Sequence, residues 1–336
     1  MPQTRQLDHA LLAVTVGAAA VGVVMVGSAS GPLAREYYHI WEYEFAMRQL
    51  VAMVLGFAGM LAATFVPLDR ILGPKVAFPL LATTWIALAV AYLQAPVAGT
   101  HRWLQLPVSS IQPSAIAKVT LPLALAALLG RPYGDRRERS RAQQQALVVT
   151  ALTVGLVLLE PDMGSALLLL AAAASVLLLA DLPLRPLFAM AGAAAVVFAV
   201  FALLRPYRVE RLRTFFGDTS YQVQQSLIAI GGGGLAGRGL GNGLQKLFYL
   251  PQPHTDFLFA VIGEELGLIG TIGTLTLLGA GLAVTLAVQA LLNVSVCLKL
   301  LPAKGLPLPL LSAGGSDVML TLVAIGLLLN IGKEGA

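Results

Sequence analysis

From Ala10 to Ala29 the chain carries no charged side chain, and runs of this kind recur towards its C-terminal end. About twenty apolar residues, rising ~1.5 Å each, cross a hydrocarbon core of ~30 Å. Inside that core no water pairs with backbone amides and carbonyls, so each run must close its hydrogen bonds internally as a helix. Further spans are expected at about 46–66, 76–94, 113–129, 146–159, 164–180 and 186–204, then from Asp256 and over about 317–332. The apolar run from Leu266 to Leu298 must hold the end of one span, a turn and another span. Either one of these segments is short or re-entrant, or a loop is absent from the chain. The expected fold is all-α: a polytopic integral membrane protein of about ten transmembrane helices in a single domain, residues 1–336.

A hydrophobic share of 57% against 12% charged residues leaves too much apolar surface for a soluble fold. The net charge of +5 would suit nucleic acid, but in a membrane chain it reads as cytoplasmic loop cations and contacts to anionic lipid. No nucleic-acid partner is expected. Cys297 is the one cysteine, so there is no disulfide framework. Ser28-Ala29-Ser30 fits a signal-peptidase site, yet the spans that follow favour an uncleaved first helix. With the N-terminus inside, the basic residues concentrate in cytoplasmic segments, and the run 131–141 reads as a cytoplasmic loop.

The segment 205–255 breaks that charge pattern. It is a large extracytoplasmic loop before the eighth helix, carrying Arg205, Arg208, Arg211, Arg213, Arg238 and Lys246. It reads equally as a long loop exempt from the charge rule or a solvated amphipathic segment, or as a cationic platform for a phosphate-bearing lipid. Gly231–Gly234 reads as a flexible loop within it. A Pro-x-Pro bend leads to His254-Thr255-Asp256 and a helix beginning at Asp256, with Glu264 and Glu265 inside it. Asp256 is either an N-cap or a general base at the membrane–water boundary. Glu264 and Glu265 are costly within a membrane unless paired, which makes each a functional or ion-pair candidate.

Lys118 lies more than one turn inside the helix begun by Pro113, where Glu264, Glu160 or Asp162 are candidate partners. Arg102-Trp103 is an interfacial anchor or part of the site. Glu160-Pro161-Asp162 is an outside turn whose two carboxylates are candidate ligands for a divalent cation. Gly305–Ser316, rich in Pro and Gly, is irregular backbone suited to line a cavity, with Ser316 or Asp317 capping the last helix. No Walker motif, zinc-ligand spacing or serine–histidine triad is present.

Taken together these residues resemble the SEDS family of shape, elongation, division and sporulation proteins. The resemblance is carried by Gly99-Thr-His-Arg102-Trp103, Gln112-Pro113-Ser114 with Lys118, and Glu160-Pro161-Asp162-Met-Gly164. It continues through Gly239-Leu-Gly-Asn242 with Gln245-Lys246, Leu250-Pro251, His254-Thr255-Asp256-Phe257, Gly263-Glu264-Glu265-Leu-Gly267 and the segment from Gly305. The wording at 239–246 is closer to the FtsW branch than to RodA.

The resemblance implies a peptidoglycan glycosyltransferase that polymerises lipid II at the outer face of the bacterial cytoplasmic membrane, at the division septum. It implies Asp256 as the catalytic residue. Candidate substrate-binding residues are Arg102, Gln112, Ser114, Lys118, Arg208, Arg238, Lys246, His254, Glu264 and Ser312. Glu160 and Asp162 are candidates for holding Mg or Mn. The implied partners are a class B penicillin-binding protein and other divisome membrane proteins. A lipid II flippase or a non-catalytic divisome scaffold are the rival readings. Three departures stand out: Ala115 replaces a glutamate beside Lys118, Asp317 replaces a neutral residue, and the 216–221 and 266–298 segments are short.

Overall fold

The computed structural model describes residues 8–96, 100–106, 110–131, 133–203, 209, 220–281, 284–301 and 306–335. The chain divides into two compact units, one of residues 1–64 with 205–336 and one of residues 65–204.

In the first unit, helix α1 (His9–Glu36) and α2 (Glu44–Phe65) lead the chain. Asp8 caps α1 by accepting from the Leu11 amide. In the second unit a single turn, α3 (Leu68–Ile71), precedes α4 (Pro74–Leu93). A two-residue hairpin, β1 (Leu104–Gln105) with β2 (Ser110–Ile111), then delivers the chain to α5 (Pro113–Leu129). Pro113 stands in the first turn of α5, where its missing amide costs nothing. Next come α6 (Arg136–Leu159), α7 (Met163–Leu179) and α8 (Leu184–Leu203).

The first unit resumes with α9 (Tyr221–Gly233), α10 (Leu258–Gly281), α11 (Val284–Cys297) and α12 (Gly315–Gly335). Among the described residues, α1, α2, α4 and α6 are each able to cross a membrane on length and composition, and five shorter apolar helices accompany them. The protein is a multi-pass membrane protein. Val51, Val54, Leu55, Leu61 and Phe65 stand exposed along α2, as expected where the solvent is lipid.

Two readings of the sequence change. The charged run at 131–141 is not all loop, because α6 starts at Arg136. Asp135 accepts from the Glu138 amide at 2.7 Å, and the Glu138 carboxylate accepts from the Gly134 amide at 2.9 Å. This reciprocal cap carries the helix out through the arginines. Nor is Gly231–Gly234 a flexible loop. Its first three residues end α9, and a side chain on Gly233 would strike the Gly263 carbonyl of α10, so the pair lets two helix backbones meet.

Each unit has its own core. Met25, Val26 and Ala29 of α1 pack with Phe257–Ile262 and with Ala290 and Val294 of α11. A second cluster in that unit joins Met53 and Met60 of α2 to Val318, Leu322 and Ile325 of α12. In the other unit Leu81, Leu88, Leu121, Leu125, Val157, Leu169 and Leu177 fill the space between α4, α5, α6 and α7.

The 266–298 run resolves into the end of α10 and the short α11. At ~1.5 Å per residue, the 14 residues of α11 reach only about 21 Å. Helix α10 is broken at Gly267, whose φ of 65° is left-handed.

Candidate active site

Asp256 is half-buried and lies in a turn, two residues ahead of α10 rather than on its first turn. The reason is a competition for carbonyls. In a helix begun at Asp256 its carbonyl would take the Ala260 amide, but Asn293 of α11 donates to it instead, at 2.9 Å. The Ala260 amide turns to the Phe257 carbonyl. The two preceding carbonyls are held in the same way. His254 accepts from the Ala313 amide at 2.9 Å, and Thr255 accepts from the Ser312 hydroxyl at 2.6 Å. Three successive peptide units are therefore fixed by donors from α11 and the 306–314 segment.

Ser312 is part of that frame. Its buried hydroxyl also accepts from the Leu308 amide, and its carbonyl accepts from Gln49 of α2. His254 is buried too, with its ring 4.8 Å from that of Phe45. Its Nδ1 has no hydrogen-bond partner, and burial drops the imidazole to about 4, so it is neutral at neutral pH.

The second assembly of this unit is built on the break in α10. The amides of Leu268 and Ile269 would pair with the carbonyls of Glu264 and Glu265 in an unbroken helix. They pair instead with Gly234 and Leu235, while the freed carbonyls accept from the amides of Arg238 and Gly239. The loop and the helix have exchanged hydrogen bonds, so these two amides and two carbonyls all keep partners. The exchange needs backbones in contact, and a side chain on Gly237 (φ 80°) would collide with the Glu265 carbonyl.

The two carboxylates serve the same loop. Glu264 accepts from the Leu244 amide at 2.9 Å and the Gln245 amide at 3.1 Å. Glu265 accepts from the Gly241 amide at 3.0 Å, from Ser28 of α1 and from Lys246 Nζ at 2.6 Å. Lys246 is only 4% exposed, and its ammonium also reaches Ser28 Oγ at 2.8 Å. Lys246 therefore points inward, onto an ion pair, and Glu264 is committed to loop amides. Arg238 differs: its side chain is 40% exposed, with Nε 4.0 Å from Glu264 and 3.2 Å from the Gly232 carbonyl. A cavity of about 870 Å³ opens between the C-terminal half of α1 and residues 240–248, with Ser28, Arg35 and Lys246 among its lining.

In the other unit Asp162 caps α7 and gathers donors. Its Oδ1 accepts from the Ser165 amide, and its Oδ2 lies 2.7 Å from Ser165 Oγ, 3.0 Å from Gln112 Nε2 and 3.3 Å from Ser114 Oγ. Glu160, two residues earlier, is fully buried, and neither of its carboxylate oxygens has a hydrogen-bond partner. Burial, helped by the charge of Asp162 and opposed by Arg102, raises its carboxyl to about 8. Arg102 Nε donates to Thr100 Oγ1 at 3.2 Å. Lys118 is half-buried on α5, on which Ala115 is fully buried. Arg208, with Arg205, Arg211 and Arg213, lies outside the described residues. Among the described residues no group of three or more His, Cys, Asp or Glu comes together to hold a metal.

The structure thus groups His254, Asp256 and Ser312, groups Arg238, Lys246 and Glu264, and joins Gln112 and Ser114 to Asp162. Sequence reading missed Asn293, Gln49 and Ser28. Asn293 is a polar residue inside an apolar run, and that is the signal that would have found it.

Comparison with known proteins places this arrangement. The family model described as Cell cycle protein (FtsW, RodA, SpoVE) matches residues 8–280 and 273–335. A probable peptidoglycan glycosyltransferase FtsW of Trichlorobacter lovleyi is 36% identical, covering 97% of this chain and 93% of the relative. One from Coxiella burnetii is 34% identical over 97% of this chain and 96% of its own. A chain solved in a peptidoglycan synthase complex that coordinates polymerization and crosslinking superposes with a TM-score of 0.76, at 30% identity over 98% of both chains. The rod-shape-determining protein RodA of Thermus thermophilus gives 0.67 at 28% identity, over 98% of this chain and 97% of its own. With matches that run nearly end to end in sequence and in fold, the chain belongs to the FtsW/RodA/SpoVE family of cell cycle proteins.

Proposed function

We propose that this protein is a peptidoglycan glycosyltransferase that polymerises lipid II into glycan strands at the outer face of the cytoplasmic membrane. The observation that carries the reading is the fixed backbone of residues 254–256, which presents one half-buried carboxylate from a rigid frame. Such a group suits a general base. The Asp256 carboxylate takes the proton of the GlcNAc 4-hydroxyl of the acceptor. The oxygen attacks MurNAc C1 of the donor, the C1–oxygen bond to undecaprenyl diphosphate breaks, and that electron pair leaves on the diphosphate with inversion at C1. Negative charge growing on the leaving group calls for a cation, for which the exposed Arg238 of the same unit is suited. Lys246, paired with Glu265, instead holds the loop that carries Arg238.

The FtsW names of the relatives favour the division branch, hence a septal location and a class B penicillin-binding protein as the cross-linking partner. The test is polymerisation of lipid II by the purified protein with that partner, its transpeptidase site blocked. Polymer from the wild type that disappears in Asp256→Ala, with substrate binding retained, is the expected result. Lipid II crossing the bilayer with no polymer from any form would instead mark a flippase.

A further inference from the structure

The segment 240–249 lies deeper than a solvated loop. Lys246 reaches Ser28 of α1, and Ser28 belongs to the uncharged run Ala10–Ala29. The segment therefore packs beside the end of a hydrophobic span. Its surface agrees with that depth: Leu240, Leu244, Leu247, Phe248 and Tyr249 are all exposed. Phe248 has a left-handed φ of 71°, a strained conformation for a bulky side chain. The backbone agrees as well. Glu265 and Glu264 take the amides of Gly241, Leu244 and Gln245, and carbonyls within the segment take those of Leu247 and Leu250. Irregular backbone is tolerated at membrane depth only when its polar groups are paired in this way.

The cavity of about 870 Å³ between this segment and α1 extends along the helix from Val24 to Arg35. At ~1.5 Å per residue that is a height of about 16 Å, one leaflet of a ~30 Å hydrocarbon core. Val24 is 54% exposed, so the cavity opens sideways, where the solvent is lipid. At the other end Arg35, Glu36 and Glu42 stand in the wall, and among the described residues none of the three forms a salt bridge. Lys246, lower in the wall, is already neutralised by Glu265.

We propose that this cavity binds a zwitterionic phospholipid of the surrounding bilayer, of the phosphatidylethanolamine class. Its acyl chain lies between α1 and the side chains of Leu244, Leu247 and Phe248. Its phosphate meets Arg35, and its ammonium meets Glu36 and Glu42. The rim selects this head, because one arginine beside two carboxylates carries a net formal charge of −1. That charge suits a head bearing an ammonium and repels a lipid diphosphate. The bound lipid wedges the 240–249 segment against α1, whatever reaction the protein performs.

The test is native mass spectrometry of the purified full chain in detergent, with phosphatidylethanolamine, phosphatidylglycerol or undecaprenyl diphosphate added. The wild type is expected to retain one phosphatidylethanolamine about tenfold more tightly than either of the others. Val24→Trp, which fills the lateral opening, and Arg35→Ala should each weaken that binding by about tenfold. Equal retention of phosphatidylglycerol, or unchanged binding in both variants, overturns the proposal. Tightest binding of undecaprenyl diphosphate also overturns it, and assigns the cavity to a polyprenyl lipid. A nitroxide on Phe248→Cys supplies a reading that needs no cavity-filling variant, and Cys297 is buried out of the label's reach. In vesicles of phosphatidylethanolamine and phosphatidylglycerol, oxygen dissolved in the hydrocarbon should relax this label more than a water-soluble nickel chelate. The reverse order would place the segment in water and overturn the proposal.

Discussion

Asn293, buried in α11, places its side-chain nitrogen 2.9 Å from the carbonyl oxygen of Asp256 and donates its other proton to the Leu306 carbonyl. One amide therefore ties the candidate base to the segment that also anchors Thr255 and His254. Asn293→Leu keeps the volume and removes both bonds, and each buried carbonyl that loses its donor costs about 1–3 kcal/mol. Because the loss falls on the backbone that aims Asp256, turnover is expected to fall by about ten- to a hundredfold with lipid II binding little changed. Polymerisation and binding measured side by side decide it, and equal losses in both would point to general misfolding.

Lys246 and Glu265 form a buried pair 2.6 Å apart, closed by Ser28. Removing one partner leaves a charge in an apolar setting, which costs about 3–5 kcal/mol, whereas removing both charges together is much milder. Lys246→Met is therefore expected to melt well below wild type in detergent, and Lys246→Met with Glu265→Leu to recover much of the difference. If single and double variants melt together, the pair is not what seats the loop.

Gly237 and Gly231 separate two roles that glycine plays in one short run. Gly237 has φ 80°, and a side chain there would meet the main chain of Glu265 and Leu266. Gly231 lies within α9, and a methyl group added there would meet nothing within 4 Å. Gly231→Ala should be neutral or stabilise by up to about 1 kcal/mol through helix propensity. Gly237→Ala should destabilise by more than that amount, since it opposes both conformation and packing. Thermal melts of the two variants, in parallel with the wild type, measure the contrast.

The helices were legible because hydrocarbon demands helices and charge is expensive there. The runs at 113–129, 164–180 and 186–204 match α5, α7 and α8 within about two residues. What local patterning did not reveal was any backbone group whose partner is distant in sequence. The start of α10 shifted because Asn293, 37 residues on, took the Asp256 carbonyl. The break at Gly267 depends on the loop at 234–239 supplying replacement bonds. Asp256, Glu264 and Glu265 were found as expensive carboxylates, but only the fold distinguishes two that anchor a loop from one held beside Ser312 and Asn293.

His254 gives the fold a dependence on pH. Its imidazole takes a proton at about 6.5 in the unfolded chain but only at about 4 in the fold, because it is buried against Phe45. As the pH falls below 6.5 the unfolded state binds more protons than the folded one, so stability falls, and the loss is complete once the pH has passed below 4. Above 6.5 both states are neutral and the contribution is fully present. At pH 5 the expected loss is about 2 kcal/mol, within a total of about 3. Melting curves between pH 7.5 and 4.5 should therefore slope downward in the wild type, and less so in His254→Gln, which cannot titrate. Equal slopes in the two proteins would assign the acid sensitivity to other groups.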